Sequence, residues 1–230
     1  MIVGAAALLA ALAALSASPQ RVTLTGGAAV PLELTNHGTA PLVVEARPGG
    51  VVLDVRGRPR LVARPGAARW LSVRPRVLAL APGATARLAV AAAPPRRAQP
   101  GDHHAVVLLT TRPVRGARVA VRMRLGVRIV VRIPGRIVHR LELRGVRAGR
   151  GVLDVAVANA GNVTERVRLT VTLLRRGRRL AVLRSAAREL LPRTRALFAL
   201  RRPPGLRGRM TALVELTART HLRRAFQLRL

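Results

Sequence analysis

The stretch from Arg118 to Arg132 alternates in character at every step. Val119, Val121, Met123, Leu125, Val127, Ile129 and Val131 fall on one side, and Arg118, Ala120, Arg122, Arg124, Gly126, Arg128, Val130 and Arg132 on the other. Successive side chains of a strand point to opposite faces. A period of two therefore predicts one long strand, apolar on its inner face and cationic on its outer face. Shorter stretches of the same kind are Val30–Leu34, Pro41–Ala46, Ala86–Ala91, Ala105–Thr110, Val152–Ala158, Val167–Leu174, Arg195–Leu200, Met210–Thr217 and Ala225–Leu230. Turn-forming residues separate them: Asn36-His37-Gly38, Arg47-Pro48-Gly49-Gly50, Ala81-Pro82-Gly83 and Gln99-Pro100-Gly101-Asp102. Many short strands divided by Gly and Pro turns predict β-sandwiches.

The chain also repeats itself. Leu32-Glu33-Leu34-Thr35-Asn36-His37-Gly38 matches Val155-Ala156-Val157-Ala158-Asn159-Ala160-Gly161. Leu80-Ala81-Pro82 before Leu88-Ala89-Val90 matches Leu190-Leu191-Pro192 before Phe198-Ala199-Leu200. Gly101 with Ala105, Val107, Leu109 and Thr110 matches Gly208 with Ala212, Val214, Leu216 and Thr217. The order holds while the offset shrinks from 123 (159 − 36) to 110 (192 − 82) to 107 (208 − 101). Three matches in order point to duplication, with shorter loops in the second copy. The fold expected is all-β: two tandem immunoglobulin-like sandwiches, residues 19–133 and 134–230, each near the ~100 residues such a domain needs. In both copies Asn-x-Gly follows a strand, and its Asn or Gly is expected to take the positive φ that turns the chain.

Residues 1–18 are uncharged, rich in Ala and Leu, and end in small residues. They are expected to be a secretory signal, although the basic n-region is missing. The alternative is that residues 1–17 belong to the fold as an Ala-rich helix. No later run of apolar residues is long enough to span a bilayer, which takes about 20. The chain carries 42 basic residues, all Arg, against 9 acidic ones, a formal charge of +33. Such a field attracts polyanions. There is no cysteine, which excludes disulfides, thiolate metal sites and Cys nucleophiles.

The first copy holds its landmarks in a set order. Trp70 to Pro75 is followed by Leu80-Ala81-Pro82-Gly83, Pro94-Pro95, Pro100-Gly101-Asp102-His103, and the long strand ending at Pro134-Gly135. The second copy opens with Asn159-Ala160-Gly161-Asn162. This order resembles the extracellular part of the WxL-interacting surface proteins of Gram-positive bacteria, with His103 in place of that family's aromatic. The resemblance implies an exported, wall-associated protein. Its first domain would contact peptidoglycan and its second another surface protein. The same strand order is similar to the PapD-type pilus chaperones. That likeness implies donation of the long strand, Val119 to Val131, to a fibre subunit.

Chemistry has few candidates. No nucleophile elbow, P-loop or dinucleotide fingerprint occurs, so no catalytic residue and no cofactor is expected. His103-His104 lacks a nearby third ligand, so no metal is expected. Asp102 is expected to bond amides of its own turn. Asn162-Val163-Thr164 fits a glycosylation triplet that is common by chance and carries no weight. Trp70 can stack on a sugar ring or close a core. Arg118, Arg122, Arg124, Arg128 and Arg132 form a ladder with steps of about 7 Å for residues two apart, suited to anionic groups of a polymer or to a solvated outer face. Arg175-Arg176-Gly177-Arg178-Arg179 reads as a hairpin tip. Nucleic acid is disfavoured, because stacking aromatics are nearly absent.

The function expected is non-catalytic: an exported surface protein that binds wall polymer or a protein partner. The alternatives are a chaperone-like adaptor donating its 118–132 strand, and a basic polyanion binder.

Overall fold

A computed structural model describes residues 15–62, 66–112 and 122–230. The chain is all-β and falls into two compact units. One comprises residues up to Val52, Leu61–Gln99 and His103–Pro134; the other comprises Leu53–Arg60, Pro100–Asp102 and Gly135–Leu230.

The first unit is a sandwich of two sheets. One has the order β1(Leu15–Ser18), β3(Val30–Asn36), β8(Thr85–Ala92), β6(Leu71–Arg74). The other has the order β2(Arg21–Thr25), β10(Arg124–Ile133), β9(Gly101–Thr111), β4(Leu42–Leu53), β5(Pro59–Val62), with β7(Val77–Leu80) also pairing β4. Leu24, Leu32, Leu34, Leu80, Leu88, Leu109 and Ile129 are fully enclosed between the sheets. Burying each such side chain contributes about 1.5–3 kcal/mol. The chain leaves β1 in one sheet and enters β2 in the other across Pro19.

Strand β1 lies inside the 1–18 segment that the sequence suggests is a secretory signal. Its residues pair Leu15 with Asn36 and Ser18 with Glu33, and Ala17 is buried. The rest of that segment lies outside the described residues.

The turn expected at Arg47-Pro48-Gly49-Gly50 does not form. β4 runs straight through it, with Pro48 opposite Val107. The backbone explains why. Val43 directs its carbonyl to Arg112 on the β9 side, and Ala46 directs its N–H to Arg76 on the other. Alternate residues face alternate sides, so the nitrogen of Pro48 points away from β9. On that side β7 has already ended, at the Leu42–Glu45 pairs, so Pro48 lies beyond the β7 ladder.

The second unit has a three-stranded sheet, β11(Leu141–Ala148), β12(Val152–Asn159), β16(Thr194–Arg201). Its larger sheet has the order β14(Arg178–Arg184), β13(Glu165–Arg175), β17(Arg209–Thr217), β18(His221–Arg229), with β15(Arg188–Leu190) also on β13. Leu153, Leu169, Leu173, Leu190 and Leu216 fill the interior, with Phe198 beside them. Among the described residues no helix is long and apolar enough to cross a membrane.

The Asn-x-Gly motifs do not work as expected. None of Asn36, Gly38, Asn159 and Gly161 has a positive φ. Both asparagines are instead buried clamps. The Asn36 amide donates to the carbonyls of Ala40, Leu80 and Ala81, and its Oδ1 accepts Gly38 N–H. The Asn159 amide donates to Val163 and Leu190, and its Oδ1 accepts Gly161 N–H. Leu80 and Leu190 are the same position of the repeat. The duplication is thus visible as one hydrogen-bonding device used twice.

Candidate functional site

The long strand is where sequence and structure together point to function. On its inner face Val127, Ile129 and Val131 are 1%, 0% and 2% exposed, and Ile133 is buried below them. Upstream, Met123 and Leu125 are only half-buried. Leu125, like Leu15 of β1, sits at the margin of the core.

Neighbouring strands cause this gradient. β2 pairs with β10 in parallel from Arg128↔Arg21 to Arg132↔Thr25, opened by the Arg128 N–H to Gln20 carbonyl bond of 3.0 Å. Before Pro19 the chain belongs to the other sheet. The β2 side of Arg124–Val127 therefore has no described strand against it. On the opposite side, Thr111 N–H donates to the Met123 carbonyl (3.0 Å), and Met123 N–H donates to Thr111 Oγ1 (2.9 Å). Alternation along the strand then turns the N–H and C=O of Arg124 and Gly126 to the open side. Among the described residues, the upstream half of β10 is a short strand edge with no strand against it, and it carries an apolar side chain, Leu125. Such an edge is a template for another strand.

The predicted arginine ladder is divided by the same geometry. Arg122, Arg124, Arg128 and Arg132 are exposed. Val130, expected among them on the outer face, is buried at 1%. Gly126 leaves a gap that Val106 fills, its Cγ2 standing 3.1 Å from where a Cβ would lie. Arg118 lies outside the described residues, as do Val119 and Val121.

Trp70 ends a 3-10 turn, Gly66–Trp70, and packs half-buried against the first core. Its ring meets the His103 ring at 4.9 Å between centroids, tilted by 60°. His103 Nε2 bonds the Gln99 carbonyl at 2.8 Å. Among the described residues no three His, Asp or Glu side chains stand close enough to share a metal.

Three of the landmarks that carry the surface-protein resemblance, Gly101, Asp102 and Asn162, meet in one set of contacts. Asp102 does not simply close its own turn: its carboxylate accepts Thr164 N–H at 2.9 Å, and its N–H donates to the Asn162 carbonyl. Asn162 donates its amide to Pro100 and Arg136 and accepts Val138 N–H, so its side chain is fully engaged. Gly101 has φ of +118°, and a Cβ there would run into the Asn162 carbonyl. These contacts lie within the second unit, to which Pro100–Asp102 belong.

In the same unit the 53–60 segment rests on Arg188. Its guanidinium stacks over Phe198 at 4.2 Å and donates to the Arg56 and Leu197 carbonyls. Burial draws Arg188 below the usual arginine range, and the charge of Asp54 opposes that shift. Asp54 is itself held below the ordinary carboxylate value, first by the Arg58 N–H and then by the Arg56 N–H. Nothing in the local sequence marked Arg188. Its partners come from distant segments.

By sequence, no protein-family model and no curated protein matches the chain. Solved structures do match. The class 5 fimbriae chaperone CfaA aligns over 92% of this chain and 98% of its own, with TM-score 0.59 and 12% identity. The periplasmic chaperone SfaE aligns over 91% and 98%, with TM-score 0.51 and 14% identity. A chain of the CsuC–CsuE chaperone–tip adhesion subunit pre-assembly complex of Acinetobacter baumannii aligns over 93% and 97%, with TM-score 0.53 and 12% identity. The shared feature is the fold: all-β, with the two immunoglobulin-like sandwiches of the PapD type. These likenesses are to pilus chaperones and do not show membership of the WxL-interacting family.

Proposed function

We propose that this protein is an exported, non-catalytic adaptor that holds a partner protein by strand addition along the open edge of β10. The observation that supports the reading is the edge of Arg124–Val127, which has no strand against it among the described residues, in a fold shared with proteins described as pilus chaperones. The partner would be a surface or fibre subunit that lacks a strand.

The donated segment is narrower than the alternation alone suggests. Val127, Ile129 and Val131 fill this protein's own core and are unavailable to a partner. The contact falls on Leu125, Met123 and the residues before them. Export would use the segment before Leu15, because β1 is part of the sheet.

The test is co-purification from the native host. A small secreted protein should accompany the wild-type chain and be lost from L125D, whose melting temperature stays within a few degrees of wild type. V127D should unfold the first unit instead. A chain that is monomeric and alone in every preparation sinks the reading.

A second reading, binding of anionic wall polymer through the first unit, rests on the exposure of Arg122, Arg124, Arg128 and Arg132. Co-sedimentation with wall sacculi tests it. At about 0.15 M salt, binding should fall more in R122Q/R124Q than in R144Q/R223Q, and equal losses would leave net charge alone as the cause.

A further inference from the structure

The second unit carries a groove of about 750 Å³ at one end of its larger sheet. Arg175 and Arg176 come to it from the β13–β14 turn, and Arg207 and Arg209 from the start of β17; Thr211 and Gln227 lie beside them. Among the described residues no side-chain carboxylate lines it. Three arginines elsewhere in this unit do have acidic neighbours: Arg140 and Arg144 on Glu142, and Arg223 on Glu215. A second groove of about 330 Å³, with Arg144, Arg223 and Arg224, includes Glu142 in its wall.

Two further observations mark the first groove. The Arg175 guanidinium donates to the Arg207 carbonyl, tying one wall to the other. The turn Arg176-Gly177 has φ of +48° and +79°. Two positive φ values in a two-residue hairpin suit Asn-Gly, so an arginine in the first place carries a backbone cost. Four arginines line one concavity, and a concave wall concentrates the field of its charges. Planar guanidinium forks match phosphate oxygens, each making paired, charge-assisted bonds. Thr211 Oγ1 and Gln227 Oε1, 3.2 Å apart, add neutral polar groups to the lining.

We propose that this groove binds a ligand carrying consecutive phosphate groups. The site is separate from the β10 edge and does not depend on the adaptor reading.

Calorimetric titration of the full chain with inorganic tripolyphosphate, in about 0.15 M NaCl, tests it. The wild type should show a one-to-one component. That affinity should fall about tenfold or more in R176Q/R209Q, which leaves the Arg175 tether in place. It should stay within about twofold in R144Q/R223Q, which removes the same charge from the other groove. Equal losses in the two variants, or no one-to-one component in the wild type, overturn the proposal in favour of net charge alone. Triglutamate should bind about tenfold more weakly than tripolyphosphate. Equal binding overturns the phosphate assignment. Vesicles of phosphatidylglycerol and phosphatidylcholine separate a lipid source: capture that R176Q/R209Q abolishes, without tripolyphosphate binding, overturns the consecutive-phosphate ligand. Melting curves verify folding, and if the pair fails, R176Q and R209Q singly should each cost about threefold.

Discussion

Strands β10 and β18 are the last strands of the two sandwiches, and both alternate, yet they are buried to different depths. Ile129 in the middle of β10 is fully enclosed, with β2 on one side and β9 on the other. β18 has β17 on one side and ends the sheet. Its inward residues Leu222, Phe226 and Leu228 are only half-buried. Arg224 even stands on that inner row, opposite the buried Val214. It is tolerated because it lies near the sheet edge: its guanidinium reaches the Leu143 carbonyl and lies 5.2 Å from the Phe226 ring centre. The difference teaches that alternation decides which way a side chain points, while the number of flanking strands decides how deeply it is buried.

The strongest way to break this comparison is to remove the same kind of atom from both strands. I129A should cost about 2–5 kcal/mol in urea unfolding of the first unit, and F226A only about 1–2 kcal/mol in the second. Equal losses would mean that neighbours do not set the depth. The asparagine clamps come next. N36A and N159A should each cost about 2 kcal/mol or more, because each strands buried carbonyls without a donor. A cost in one unit and none in the other would deny that the repeat shares one device. R224L sharpens the edge argument: stability should stay within about 1 kcal/mol of wild type, since an edge position accepts an apolar side chain as readily as a stem with a solvated head.

The smallest effect concerns the 53–60 turn. Asp54 has a folded value below its unfolded one, so its contribution is fully present above the ordinary Asp value of about 3.9. It is lost as pH falls through the lowered folded value. The protection of the Arg56 and Arg58 amides, taken relative to their intrinsic exchange at each pH, should therefore fall on acidification, and D54N should remove that dependence while leaving global unfolding nearly unchanged.

Much of the fold was legible in the sequence. Every alternating stretch recognised there lies in or overlaps a strand, and the Asn-x-Gly repeat marked equivalent places in two units. Strands β1, β2, β5, β6, β7 and β15 went unread, because three to five residues are too few to display a period. The longer β11 and β14 went unread as well: an irregularity between Leu143 and Gly145 breaks the alternation of β11, and β14 lies mostly exposed at the end of its sheet. The role of Asn36 was misread for a related reason. A turn can be judged from neighbouring residues, but the Leu80 carbonyl it clamps is 44 positions away. The arginine ladder was legible as a face, whereas the burial of Val130 within it was not. The hairpin tip at Arg175–Arg179 was also legible. That it closes on Arg207 and Arg209 was not.

What the sequence determined by itself was orientation: which residues of each strand face inward, since the two-residue period is a property of the backbone alone. The tertiary structure decided everything that depends on who the neighbour is. It decided that the chain crosses from one sheet to the other at Pro19, so that among the described residues no strand lies on the β2 side of the upstream half of β10. It also decided that four arginines from separate segments meet in one groove. Strand edges and charge clusters are made by pairing between distant parts of the chain, and no local pattern records that pairing.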